Sequence, residues 1–175
     1  MNAWLAAGLL AGTAAAGEPV VVRSGPGRTA LLELFTSEGC SSCPDADAWL
    51  GALEGKPGLW RAFVPVGFHV IYWDRLGWPD PWGAKSYTER QRRHADRWGS
   101  WRVYTPGFVT DGAEGRPGAL PAAPGPKTGT LEARARGRLV VVAYAPEPGT
   151  PRAARAFAAT LGMGLKSRVR SGENA

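Results

Sequence analysis

Residues Thr29 to Phe35 read TALLELF, an apolar run of strand length with turn residues on both sides, and they predict a buried central strand. Glu33 breaks the run, so either it faces a cavity from a pleat or the strand lies at an edge. From Cys40 onward, Ala46, Trp49, Leu50 and Leu53 recur at i, i+3, i+4 and i+7, which gives a helix one apolar face. Pro44 falls in its first turn, where a missing N–H costs nothing, and Gly55 is placed to end it. Phe63 to Val70 reads as a strand interrupted by Pro65 and Gly67. The stretch Tyr72 to Trp82 is too rich in Trp and Pro for a regular element and suits a packed lid or a binding surface. Ser86-x-x-Glu89 has the form of a capping box, and Tyr87, Gln91, Ala95 and Trp98 continue with helical spacing, predicting a helix over Tyr87 to Trp98. Strand character returns at Val103 to Thr110, and Asp111-Gly112 signals a hairpin after it. Thr130 to Tyr144 alternates and becomes a valine run around Gly137-Arg138, as a strand pair would. Pro151 to Leu161 predicts a short Ala-rich helix, and no internal repeat is present.

A chain of 175 residues, 44% hydrophobic, suits one domain with a small appendage. Its 24 glycines and 15 prolines imply short elements and many loops. Met1 to Ala16 is apolar and closes on Ala14-Ala15-Ala16, the small-residue pattern of a cleavable secretion signal, so the mature protein is expected outside the cytoplasm, secreted or periplasmic. No later run is long and apolar enough to predict a membrane span in the mature form. The formal charge of +6 gathers partly in Arg90, Arg92, Arg93, Arg97 and Arg102 and partly in Lys166, Arg168 and Arg170. No nucleic-acid recognition motif accompanies these residues, and a solvated basic face is the expectation, without nucleic acid as a partner.

Both cysteines of the chain are spent on one Cys40-Ser41-Ser42-Cys43 motif. A bridge across so short a loop removes little chain entropy, so the pair suits reaction better than reinforcement. At a helix N-terminus, free N–H groups and the positive end of the dipole would stabilise a thiolate at Cys40 as the attacking sulfur. Cys43, one turn in and less exposed, would resolve the mixed disulfide. Strand, C-x-x-C, helix and strand in that order make a thioredoxin-like signature. Asp45 and Asp47 read as dipole-favouring residues of the first turn, and Arg75 with Arg90, Arg93 and Arg97 as a solvated face.

Several stretches together resemble a family of secreted bacterial thioredoxin-like proteins, domain of unknown function 1223: Leu32 to Pro44, Phe68-His69-Val70 with Tyr72-Trp73-Asp74, Leu76-Gly77-Trp78, Tyr87 to Gln91, and Val103-Tyr104-Thr105-Pro106. The resemblance implies an α/β, thioredoxin-like fold, a central mixed sheet with flanking helices, and Thr105-Pro106 stands where thioredoxin-like proteins place a cis-proline beside the cysteine pair. Three departures stand out. Ile71 replaces an acidic residue of the family pattern, a Pro/Gly-rich stretch replaces the helix expected after the Asp111-Gly112 hairpin, and Gly172-Glu173-Asn174 is a motif after which relatives continue, implying a shortened C-terminus. The expected organisation is a signal peptide over residues 1–16, a thioredoxin-like core over 17–114, a Pro/Gly-rich linker over 115–129, and a short β-rich or irregular segment over 130–175.

The leading expectation is thiol–disulfide exchange without a cofactor, with protein thiols, protein disulfides or a redox partner protein as the other party. Cys40, Cys43, Thr105 and Pro106 form its catalytic set, and Trp73, Trp78 and Tyr104 its substrate side. Two alternatives stay open. Cys40, Cys43 and His69, with His94 as a distant fourth, could supply ligands for copper. Alternatively Trp73, Trp78, Trp82, Trp98 and Trp101 could grip a peptide or glycan without catalysis.

Overall fold

The computed structural model describes residues 18–152 and 154–174. The expected signal peptide, residues 1–16, lies outside the described residues. The elements are strand β1 (Val20–Arg23), β2 (Ala30–Thr36), helix α1 (Pro44–Gly51), β3 (Phe63–His69), a 3-10 turn at Asp74–Leu76, helix α2 (Lys85–Arg97), β4 (Gly107–Thr110), β5 (Ala113–Glu114), β6 (Gly129–Arg136) and β7 (Leu139–Pro146). They build a mixed α/β architecture of two sheets, one of four strands in the order β3-β2-β4-β5 and one of three in the order β1-β6-β7.

The central position of β2 follows from its residues. It pairs in parallel with β3 and antiparallel with β4, so its two faces must both be covered. Strand alternation sends Ala30, Leu32, Leu34 and Thr36 to one face and Leu31, Glu33 and Phe35 to the other. The first face meets α1 in a cluster of Ala30, Leu32, Leu53, Ala62 and Phe63, with Trp49 and Leu50 against it. The second holds Phe35, Val70 and Val109, with Phe68, Tyr72 and Trp73 packed on them. Phe35, Phe63 and Leu34 are completely buried, each contributing about 1.5–3 kcal/mol of hydrophobic stabilisation.

Glu33 is therefore not an edge residue. It is 3% exposed on the α2 face, where Arg90 Nε donates to its carboxylate and His94 Nε2 lies 3.3 Å away. Arg90 also lies over the Phe68 ring, 5.1 Å from its centre, so it is a core partner rather than part of a solvated face. Pro65 and Gly67 do not interrupt β3, because this strand pairs on one side only and its other edge makes no demand for N–H groups.

Three expectations are corrected. The capping box of α2 does not form: the helix begins two residues before Tyr87, Ala84 is its N-cap without a side-chain bond, and Glu89 pairs with Lys85 at 3.7 Å instead of reaching back. The expected strand at Val103 shrinks to β4, because Gln91 takes the carbonyl of Tyr104 and Val103 to Pro106 run outside the sheet. No helix forms among the described residues of 151–161; the stretch has no apolar face docked on the core, and Phe157 is 85% exposed.

The Asp111-Gly112 turn has φ of +51° and +86°, the left-handed pair that closes a two-residue hairpin, and its return strand is only the two residues of β5. Asp111 also latches the start of β2, accepting from the Leu31 N–H at 3.0 Å while its own N–H donates to Leu31 O. In the second sheet, β6 and β7 are the strand pair expected around Gly137-Arg138. The addition is β1, which pairs antiparallel with β6 from Val20↔Ala135 to Arg23↔Glu132.

Candidate functional site

The site lies where β2 and β3 end. β2 runs out at Thr36, and Ser37 to Gly39 carry the chain into Cys40-Ser41-Ser42-Cys43, a tight turn closed by the Cys43 N–H on Cys40 O at 3.1 Å. Cys43 is the N-cap of α1, Pro44 its first residue, and Asp45 and Asp47 sit in its first turn. The two cysteines are joined as a disulfide with their Cα atoms 5.5 Å apart.

The exposure difference expected between the two sulfurs is absent. Cys40 and Cys43 are both fully buried, while Ser41 and Ser42 between them face solvent. Thr105-Pro106, joined by a cis peptide, lies beside the turn, with Ser42 Oγ donating to Thr105 O at 3.4 Å. Trp73 Nε1 donates to Thr105 Oγ1 at 2.8 Å and Trp78 Nε1 to Glu38 Oε2 at 2.8 Å, so these two indoles bind the loops around the disulfide together. Tyr104 is half exposed, its hydroxyl bonded to Glu114 on β5, beside an apolar recess lined by Gln91, Trp98, Val103 and Phe108. Trp82 is tied through its N–H to Asp80, Trp98 donates to Gly112 O, and Trp101 stands 85% exposed with Arg102 over its ring.

Beneath the turn sits a polar cluster that sequence reasoning only grazed. Asp80 is buried and accepts from the Glu38 N–H at 2.8 Å and the Trp82 N–H at 2.9 Å, while its Oδ2 lies 2.7 Å from His69 Nδ1. Burial opposes charge on Asp80, but the His69 bond and the two N–H donors outweigh it and hold its carboxyl below the ordinary range. Burial likewise opposes charge on His69, and the Asp80 hydrogen bond with the charges of Asp80, Asp47 and Glu38 wins, raising its pKa. Asp47, one helical turn beyond Cys43, is bonded by the Thr36 hydroxyl at 3.0 Å; burial pushes its pKa up despite that bond. Asp47 is thus part of the ground under the disulfide rather than only a dipole-facing surface residue. The sequence signal for Asp80 was slight, since an Asp between Pro79 and Pro81 reads as a turn residue.

The alternative ligand set is not brought together. His69 gives its Nδ1 to Asp80, both sulfurs are taken up in the disulfide, and His94 faces Glu33 on the opposite side of the sheet. Among the described residues no group of three His, Cys, Asp or Glu side chains is placed to hold a metal ion. Among them, too, no helix is long and apolar enough to cross a membrane.

The family described as "Protein of unknown function (DUF1223)" matches residues 31–175, which take in both cysteines, the Trp73–Trp82 loop, Thr105-Pro106 and the C-terminal Gly172-Glu173-Asn174. The chain belongs to this family. No protein among those of curated function matches it. It is similar to a crystal structure of a protein from Agrobacterium tumefaciens at 38% identity and a TM-score of 0.43, over 50% of this chain and 37% of that one. The chain therefore spans little more than a third of that protein's length. Within this DUF1223 chain, the cysteine turn and the His69–Asp80 cluster are the strongest concentration of reactive and titratable groups described above.

Proposed function

We propose that this is a thioredoxin-like protein, working outside the cytoplasm, that exchanges thiols and disulfides through Cys40 and Cys43. The observation that carries the reading is a disulfide closed across a four-residue turn at the N-terminus of α1, at the end of a central strand. The order β2, cysteine turn, α1, parallel β3 and antiparallel β4, with Thr105-Pro106 leaning on the turn, supports the fold part of it. In the dithiol form, the Cys40 thiolate attacks a partner disulfide; a bond forms between Cys40 and one partner sulfur, and the other partner sulfur leaves as thiolate. The Cys43 thiolate then attacks Cys40, the second partner sulfur leaves, and two electrons have passed to the partner. The reverse order oxidises a dithiol partner. The Cys43 sulfur is buried, so in this reading its thiol loses its proton within the protein, and Asp47, one turn along α1 and with its pKa raised by burial, is the acceptor we propose.

The test is the reduction potential of the Cys40–Cys43 pair, read by equilibration against glutathione and dithiothreitol. A reversible value between about −120 and −270 mV, the range of known oxidoreductases, supports exchange. A value below about −300 mV marks a structural bridge and overturns it. Cys40→Ser abolishes turnover of a model disulfide substrate if the reading holds.

A further inference from the structure

The cysteine turn has an occupant from far away in the chain. After a mostly exposed stretch, the chain returns at Ser171 to Asn174 and lies across the turn. The Asn174 side-chain amide spends both of its N–H groups there, on Glu38 O at 2.7 Å and Cys40 O at 2.8 Å. The Glu173 carboxylate accepts the Ser41 N–H at 3.1 Å. Gly172 has φ of +84° and passes so close to Trp78 that a Cβ would stand 3.3 Å from the Trp78 Cβ, and Ser171 Oγ donates to Gly77 O at 2.6 Å.

Besides the Ser41 side chain, which also bonds the Glu173 carboxylate, the groups these residues engage on the turn itself, Glu38 O, Cys40 O and the Ser41 N–H, belong to the backbone. Backbone groups of this kind are what an extended polypeptide satisfies when it docks, whatever its side chains. The Glu173 carboxylate also puts a negative charge on an N–H beside Cys40, where a Cys40 thiolate would otherwise be the anion. Cys40 beneath is completely buried although it is the residue a partner must reach.

We infer that the groove between Trp78 and the Glu38–Ser41 loop is a docking site for an extended polypeptide, filled in this structure by the chain's own Ser171–Asn174. The inference rests on the exchange reading only for what the partner brings to Cys40. A docking partner supplies backbone donors and an acceptor of its own where the Asn174 amide and the Glu173 carboxylate now stand, displaces the strap and uncovers the sulfur in one event. Its segment at the Gly172 position must be glycine or another residue whose side chain points away from Trp78.

Two measurements on the full chain test this. In the first, the Cys40–Cys43 disulfide of the wild type and of the E173Q/N174A double variant is reduced by dithiothreitol, with rates read under pseudo-first-order conditions. The variant is expected to react at least about tenfold faster, corresponding to about 1.4 kcal/mol of strap closure. Rates within twofold, with circular dichroism and thermal midpoint unchanged, overturn the inference. The second keeps the strap intact, so it stands even if the double variant fails to fold. The Cys40 thiolate of a Cys43→Ser protein attacks a cysteinyl peptide activated as its nitrothiobenzoate disulfide, forming the Cys40–peptide bond as nitrothiobenzoate leaves. Proton exchange read by NMR should then show the Asn174 side-chain amide losing its protection while the Ser41 amide keeps its own. Protection kept at the Asn174 side-chain amide in the adduct overturns the inference. If the strap behaves as described but the protein moves no electrons to or from any protein disulfide, the exchange reading falls alone.

Discussion

The two sheets are held by opposite means. In β3-β2-β4-β5, hydrogen bonding and burial coincide: β2 is buried along nearly its whole length, with α1 on one face and the aromatic residues of α2 and the Tyr72–Trp73 loop on the other. In β1-β6-β7, the ladder is longer, eight residue pairs between β6 and β7, yet Val20 to Val22, Leu139 and Val140 to Val142 remain largely exposed. In the second sheet pairing joins the strands without burying their side chains, whereas in the first burial also dictates which side chain stands at each position. The cysteine turn hangs from the first kind of sheet, at the end of its buried central strand.

The sharpest way to test that contrast is a pair of truncations. Phe35→Ala should lower stability by about 3–5 kcal/mol, because it removes a fully buried ring between β2 and α2. Val141→Ala should change it by less than about 0.5 kcal/mol. Denaturant midpoints on both variants decide it, and equal losses would mean that the second sheet is covered in solution. A smaller effect is expected from Glu33→Gln, about 1.5–3 kcal/mol, since the charged bonds to Arg90 and His94 are replaced by neutral ones in a buried site. A value near zero would show that β2 tolerates polar loss as the outer sheet does.

The smallest effect is in pH. His69 is raised above 6.5 in the folded state, so its contribution is fully present below pH 6.5 and is lost as pH rises through the folded value. Asp80 is held below 3.8, so its contribution is present above pH 3.8 and lost as pH falls through its lower folded value. Asp47 runs against it: its raised carboxyl favours the fold most below pH 3.8 and gives that up as pH climbs through its folded value. Wild-type stability should therefore show a decline on the alkaline side of pH 6.5 that His69→Gln removes. A persisting decline would assign it to another group.

Much of this was written in local pattern. TALLELF, the helix through Ala46, Trp49 and Leu50, the Asp111-Gly112 turn and the β6–β7 pair each announce themselves within a few residues, although α1 ends at Gly51, short of the Leu53 and Gly55 expected for it. The cysteine turn at the start of α1 was legible in the same way. What stayed hidden depends on distant partners. VVVR at 20–23 becomes a strand only because β6 lies beside it. Ser86 fails as a cap because the Tyr87 and Thr88 N–H groups bond Ala84 O, starting the helix earlier. Asp80 and the Gly172–Asn174 segment carry no periodicity at all, so their place beneath and above the cysteines follows from tertiary hydrogen bonds that no short window contains.

The pairing of β1 with β6 also sets a clock. Arg23 and Glu132 are 109 residues apart, so the first strand waits for its partner until most of the chain has emerged, from a ribosome or across a membrane. During that interval Val20, Val21 and Val22 present a bare hydrophobic edge to whatever is near. The buried sheet, whose strands lie between residues 30 and 114, has all of its strands before β6 emerges, so chain order lets the sheet that carries the cysteine turn form while its neighbour is still an open strand.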